Sequence, residues 1–97
     1  MKYNNLVKEL PAHLFWDSDI SKLDDVEHYK KIIIRTFERG DLDQMATVMA
    51  YYGKDICKEV LIESPYLMER AMIFGSLFLE IPMTAFLSRE AKQHHAI

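Results

Sequence analysis

Four histidines, one cysteine and a short acidic cluster are the side chains in this sequence best suited to chemistry. Imidazoles and thiolates hold zinc when a helix or tight loop brings them to one centre, as His pairs at helical spacing or Cys-x-x-Cys steps. His13, His28, His94 and His95 form no such pair, and Cys57 has no second cysteine to join it. His94 and His95 are neighbours, and neighbours on a helix point apart. Cys57 follows Ile56 on an amphipathic stretch and reads as a small buried hydrophobe, since a reactive thiol needs a helix N-terminus or an adjacent base. Ser18, Ser21, Ser64, Ser76 and Ser88 occupy no nucleophile-elbow pattern. Asp17, Asp19, Asp24 and Asp25 cluster, and a D-x-D pair suits a hard cation, but the glycine and closing glutamate of a calcium loop are missing. That cluster reads as helix capping and a solvated turn. Glycine-rich phosphate cradles are absent as well. The expectation is a non-enzymatic protein with no cofactor and no metal.

Nucleic acid is a more specific alternative. Residues 41–63 have the outline of helix, tight turn at Gly53 and helix, as in a helix-turn-helix. The second of those helices offers Lys54, Asp55, Lys58, Glu59 and Glu63, with acids in excess. From Asp41 to Glu69 there is no arginine or asparagine, and the only glutamine is Gln44 on the first helix. Base readout favours Arg, Asn and Gln, and phosphate attraction favours positive charge. DNA binding through residues 41–63 is therefore kept as the second reading.

The elements that would position these residues are helical. Period-two alternation is never sustained, whereas apolar residues recur every three to four positions. Val26, Tyr29, Ile33 and Phe37 make one stripe of a helix expected from about Asp25 to Arg39, capped by Asp24 or Asp25 and closed at Gly40. A second helix opens at Asp41, turns Leu42, Met45, Val48 or Met49 and Tyr52 inward, and stops at Gly53. A third spans about Lys54 to Glu63 with Ile56, Val60 and Leu61 inward. Ser64-Pro65 is a helix-start signature. The helix it opens, to about Leu79, is apolar nearly all round and is expected at the centre of a bundle. Pro82 ends it, and residues 83–88 add one short turn. At the other end, a turn of helix after Pro11 would let Leu14, Phe15 and Trp16 close the bundle.

The 97 residues are 49% apolar and 28% charged, with a net charge of −3. These values fit one all-α domain, a compact bundle of four main helices with short N- and C-terminal turns. The expected divisions are an N-terminal arm over 1–9, the domain over 10–88 and a flexible tail over 89–97. Neither half of the chain is a basic arm. A single cysteine suits a reducing compartment, and no apolar run is long enough for a signal segment or a membrane span. A cytoplasmic protein without a membrane partner is expected.

The remaining chemistry is adhesive. Ile34 lies about 100 degrees round the helix from Ile33 and broadens the apolar stripe. Tyr51 and Tyr52 are adjacent, so one of them faces out. Six methionines suit an adaptable surface. Phe15, Trp16, Ile34, Tyr51 and Tyr52 are the candidate interaction surface. Its partner is another protein, a second copy in a symmetric dimer being one form of it. For the aromatic opening, a structural latch is the competing reading, since large aromatics dominate small cores.

The run Leu10-Pro11, then His13-Leu14-Phe15-Trp16-Asp17, resembles the opening of a small bacterial family of domains of unknown function. The likeness continues through Ile32-Ile33, Arg35 and Gly40, then the step Tyr52-Gly53-Lys54, then Ile56, Lys58, Glu59, Val60 and Leu61. It closes with Ser76-Leu77-Phe78 and Ile81-Pro82, so it covers roughly residues 10 to 82. The resemblance implies a helical domain without an established activity. Some members are encoded beside nucleotidyltransferase-like toxins, which implies an antitoxin-like or regulatory partner role. Ile34 stands where that pattern has a polar residue, Ser18 where it has valine, and residues 83–97 replace its aromatic, cysteine-bearing ending.

Overall fold

A computed structural model describes residues 10–15 and 23–87 of the chain. The N-terminal arm, Trp16, Asp17, Asp19, Ser18, Ser21 and the tail with His94 and His95 lie outside the described residues. Four α-helices follow one another: α1 (Tyr29–Arg39), α2 (Leu42–Tyr52), α3 (Lys54–Glu63) and α4 (Glu69–Leu79). Short 3-10 turns stand at each end, Ala12–Phe15 and Met83–Ala85. The described residues contain no strand. The protein is an all-α bundle.

Helix α1 packs against each of the other three helices and against the first 3-10 turn. It therefore takes the central place that periodicity assigned to the last helix. Ile32, Ile33 and Phe37 on α1 are fully buried, and each such side chain contributes roughly 1.5–3 kcal/mol by leaving water. Thr36 is buried on the same face, and its hydroxyl donates to the Ile32 carbonyl at 2.8 Å, which satisfies it without a distant partner. Helix α4 buries Ala71, Met72, Gly75 and Leu79 against α3 and α1 but leaves Ile73 and Leu77 outside, Leu77 at 65% exposure. Small Ala71 and Gly75 form a flat strip, so α4 lies close along one side instead of being surrounded.

The start of α1 is four residues later than expected. The Asp24 carboxylate accepts the amides of Val26 at 2.8 Å and Glu27 at 3.3 Å. Its own amide donates to His28 Nδ1 at 2.9 Å. These bonds close a separate turn over 25–28 before the helix begins. Val26, expected in the buried stripe, is 56% exposed and lies in that turn, outside α1.

Helix α2 begins with a reciprocal capping box: Asp41 Oδ1 accepts the Gln44 amide and Gln44 Oε1 accepts the Asp41 amide, both at 2.9 Å. Leu42, expected inside, stands at the exposed first position of that helix. One residue, Gly53, joins α2 to α3. Its φ of 93° lies where a side chain is strained. Ile56 on α3, also expected inside, is 42% exposed, and Cys57 takes the buried position beside it.

Ser64-Pro65 does not open α4. Ser64 ends α3 in extended backbone, its hydroxyl donating to the Tyr66 carbonyl at 3.3 Å, and Leu67 then turns into the core. The true start is held by α1: Glu38 Oε2 accepts the Met68 amide at 3.0 Å. Arg70 returns the contact, donating to the Gly40 carbonyl at 2.7 Å and the Phe37 carbonyl at 3.4 Å. A cation thus serves carbonyls at the end of α1, where the helix dipole favours positive charge, and a carboxylate accepts the amide of Met68, the residue that caps α4.

Candidate interaction groove

The turn before α1 and the corner between α2 and α3 enclose a shallow groove of about 420 Å³. Val26, Tyr29, Tyr51, Tyr52 and Ile56 line it. Tyr51 and Tyr52 end α2 immediately before Gly53, so the sharp corner there brings Ile56 of α3 beside them. The two adjacent rings meet edge to face, with centroids 5.0 Å apart and planes at 86°. Tyr29 of α1 approaches Tyr52 at 6.3 Å and 50°. Three rings thus occupy one corner at mutually inclined angles.

Beneath them lies Asp25, with no exposed surface. Tyr51 donates its hydroxyl to Asp25 Oδ2 at 3.1 Å, and Tyr52 donates to the Asp25 backbone carbonyl at 2.6 Å. The two phenols fasten the 25–28 turn to the end of α2. Burial pushes the Tyr52 phenol well above its ordinary range, and the nearby Asp25 charge raises it further. Tyr52 therefore stays a neutral donor at physiological pH.

The five residues singled out from the sequence separate. Tyr51 and Tyr52 are together in the groove, Tyr51 at 44% exposure and Tyr52 half-buried. Ile34 lies on another side of α1, in a smaller hollow of about 200 Å³ with Lys30, Val60, Glu63, Ser64 and Pro65. Phe15 is 1% exposed, so it cannot form a contact surface. With Leu10 and Leu14 it fills the core, and Arg35 Nη1 donates to the Leu14 carbonyl at 3.1 Å, tying that turn to α1. Trp16 falls outside the described residues. Sequence reasoning placed Val26 and Ile56 on inward stripes, whereas both are exposed; Tyr29, also placed on a stripe, is partly buried against the core and lines the groove with its outer part. It read Asp25 as a cap. The adjacent tyrosines before a glycine were the one local signal of the groove.

Cys57 is fully buried, and burial pushes its thiol up to about 11. Its nearest acceptor is the Val48 carbonyl, with Sγ at 4.0 Å. On α3 the exposed charged side chains are Lys54, Asp55, Lys58, Glu59 and Glu63, so the face a DNA groove would meet carries more acid than base. Among the described residues no helix is long and apolar enough to cross a membrane, and no three His, Cys, Asp or Glu side chains converge.

Residues 10–61 match a family of unknown function, DUF6922, over just more than half of the chain. The chain belongs to that family. No curated protein and no solved structure matches it. The DUF6922 segment takes in the first 3-10 turn, α1, α2 and most of α3, and with them all five residues of the groove. It stops before α4, although α4 closes the core over α1 and α3.

Proposed function

We propose that this DUF6922 protein is a non-enzymatic interaction module that holds another protein through the tyrosine groove. The single observation behind this reading is the groove itself. Val26, Tyr51 and Ile56 are each more than two-fifths exposed yet share one concave surface with Tyr29 and Tyr52. Scattered apolar residues are ordinary on a surface, whereas a rimmed aromatic concavity offers an anchoring site to a partner. Tyrosine suits such a site because its ring is rigid and its hydroxyl stays hydrated or bonded. The role is that of an antitoxin-like or regulatory subunit acting in the cytoplasm, in keeping with the sequence resemblance and the single free cysteine.

The test is capture from the source cell with the tagged full chain, alongside Tyr51→Glu and Ile56→Glu, with Leu77→Glu on α4 as control. Circular dichroism establishes that each variant folds, and light scattering reports self-association. A partner, or a second copy, should be retained by the parent and the control and lost by both groove variants. Retention by the groove variants, or a lone monomer that captures nothing, would overturn the proposal.

A further inference from the structure

We propose that the groove takes a basic side chain, lysine or arginine, set between apolar residues of the partner segment. The inference rests on the docking reading above and names the chemistry of what docks. Ring faces are negative and ring edges positive, so a cation gains where several faces converge. Tyr29, Tyr51 and Tyr52 offer three rings inclined at 50° and 86° to their neighbours along one shallow wall. Val26 and Ile56 complete that wall and would cover the aliphatic stem of the side chain, as long cationic side chains require.

The charge behind the rings has the matching sign. Asp25 is fully buried, and its carboxylate accepts the Tyr51 hydroxyl at 3.1 Å. A carboxylate shielded from water acts over a longer range than an exposed one, and its charge adds to burial, the larger cause, in raising the Tyr52 phenol. A phenol that donates to a carboxylate also carries a more electron-rich ring. Acidic residues stand beside the lining: Asp24 precedes the turn bearing Val26, Glu27 lies within it, and Asp55 precedes Ile56. Lys54 opens α3 as a base, while Lys30, next to Tyr29, lines the Ile34 hollow on another side of α1. An anion entering here would be opposed by the negative charge of Asp25 behind the rings, and a neutral side chain would gain nothing from it.

Three acetylated, amidated tripeptides test this: leucine–X–leucine with X as lysine, norleucine or glutamate. Each is titrated into the full chain, with carbon-13 labels on tyrosine rings and isoleucine methyls. The lysine peptide should shift the Tyr29, Tyr51, Tyr52 and Ile56 signals with a Kd about fivefold below that of the norleucine peptide. The glutamate peptide should bind more weakly than either. Tyr29→Leu and Tyr51→Leu, each verified as folded, should bring the lysine-to-norleucine ratio towards about one, as expected when a ring face is removed. Equal binding of the lysine and norleucine peptides would overturn the cation and leave the docking groove standing. Tighter glutamate binding, or no shift with any peptide, would also overturn it, and the capture experiment then judges the docking reading by itself.

Discussion

Replacing Tyr52 by phenylalanine isolates the fastening between the 25–28 turn and α2. The substitution keeps the ring, its contacts with Tyr29 and Tyr51 and its place in the groove, and removes one oxygen. That oxygen donates to the Asp25 carbonyl at 2.6 Å, at a residue with no exposed surface. A neutral hydrogen bond contributes about 1 kcal/mol net, and leaving its buried acceptor dry adds a desolvation cost of about 1 kcal/mol or more. The expected loss is therefore about 1–2 kcal/mol, with Tm falling by roughly 4–8 °C for each kcal/mol in a domain of this size. Tyr51→Phe removes a bond to a charged acceptor, Asp25 Oδ2, but Tyr51 is 44% exposed and water can take the place of its hydroxyl. Its cost should be the smaller of the two. Urea unfolding followed by circular dichroism gives both values, and amide exchange at His28, whose N–H bonds the Asp24 carbonyl at 2.9 Å, reports whether the turn itself loosens. A Tyr52→Phe chain within about 0.3 kcal/mol of the parent, well below any hydrogen-bond value, would refute the fastening. So would a larger loss from Tyr51→Phe.

Gly75→Ala should stay within about 1 kcal/mol of the parent, because helix propensity improves while a Cβ would press on Leu61 Cδ1 at 3.1 Å and Phe86 Cζ at 3.3 Å. Gly75→Leu has no room there and should destabilise by more than about 3 kcal/mol in the same urea assay. Gly53→Ala keeps open space around it but forces a side chain to φ 93° and ψ 147°, a region nearly confined to glycine, at a cost of about 1–3 kcal/mol. Cys57 gives a pH signature: with its folded thiol pushed up to about 11, the folded chain keeps a proton that the unfolded chain releases, so this stabilisation is full below the ordinary thiol range and is lost as pH rises through it towards 11. Urea midpoints should fall over that window less steeply in Cys57→Ala, and an equal slope in both chains would refute the burial argument. A chain ending at Leu61 should remain unfolded by circular dichroism, since it lacks Leu67, Met72, Leu79, Ile81 and Phe86 from the core, each worth roughly 1.5–3 kcal/mol against a total of about 5–15 kcal/mol for an ordinary domain.

The sequence was most legible where structure is set by near neighbours. Asp41, Gly53 and the end at Glu63 placed α2 and α3 almost to the residue, because a cap and a glycine corner act within a few positions; the Gln44 half of the capping box was not read. Legibility failed where a distant or competing group took over. Asp24 caps as the sequence suggested, accepting the Val26 and Glu27 amides, but the turn it opens runs over 25–28 and the helix itself starts only at Tyr29. Ser64-Pro65 has the form of a helix start, yet burial of Leu67 and the Glu38 carboxylate moved that start to Glu69, and Glu38 is thirty positions from the amide it accepts. The groove was half visible. Tyr51 and Tyr52 stood out as adjacent aromatics before a glycine, but Tyr29 joins them through the packing of α1 on α2, and Asp25 accepts from phenols 26 and 27 positions further along the chain.

The position of the groove relative to the DUF6922 segment bears on what the chain divides between folding and binding. All five lining residues and Asp25 fall within residues 10–61, whereas α4 and the second 3-10 turn lie beyond them. Yet α1 and α3 rely on α4 for burial, and Arg70 of α4 holds the last carbonyls of α1. The later segment therefore acts on the groove indirectly. It fixes α1, α1 carries Tyr29 and continues the turn that holds Asp25, and Asp25 in turn sets both phenols. The residues that line the groove and those that hold α1 in place are separate in sequence and joined through one helix. Loosening α4 should thus weaken binding at the groove without touching a residue that lines it.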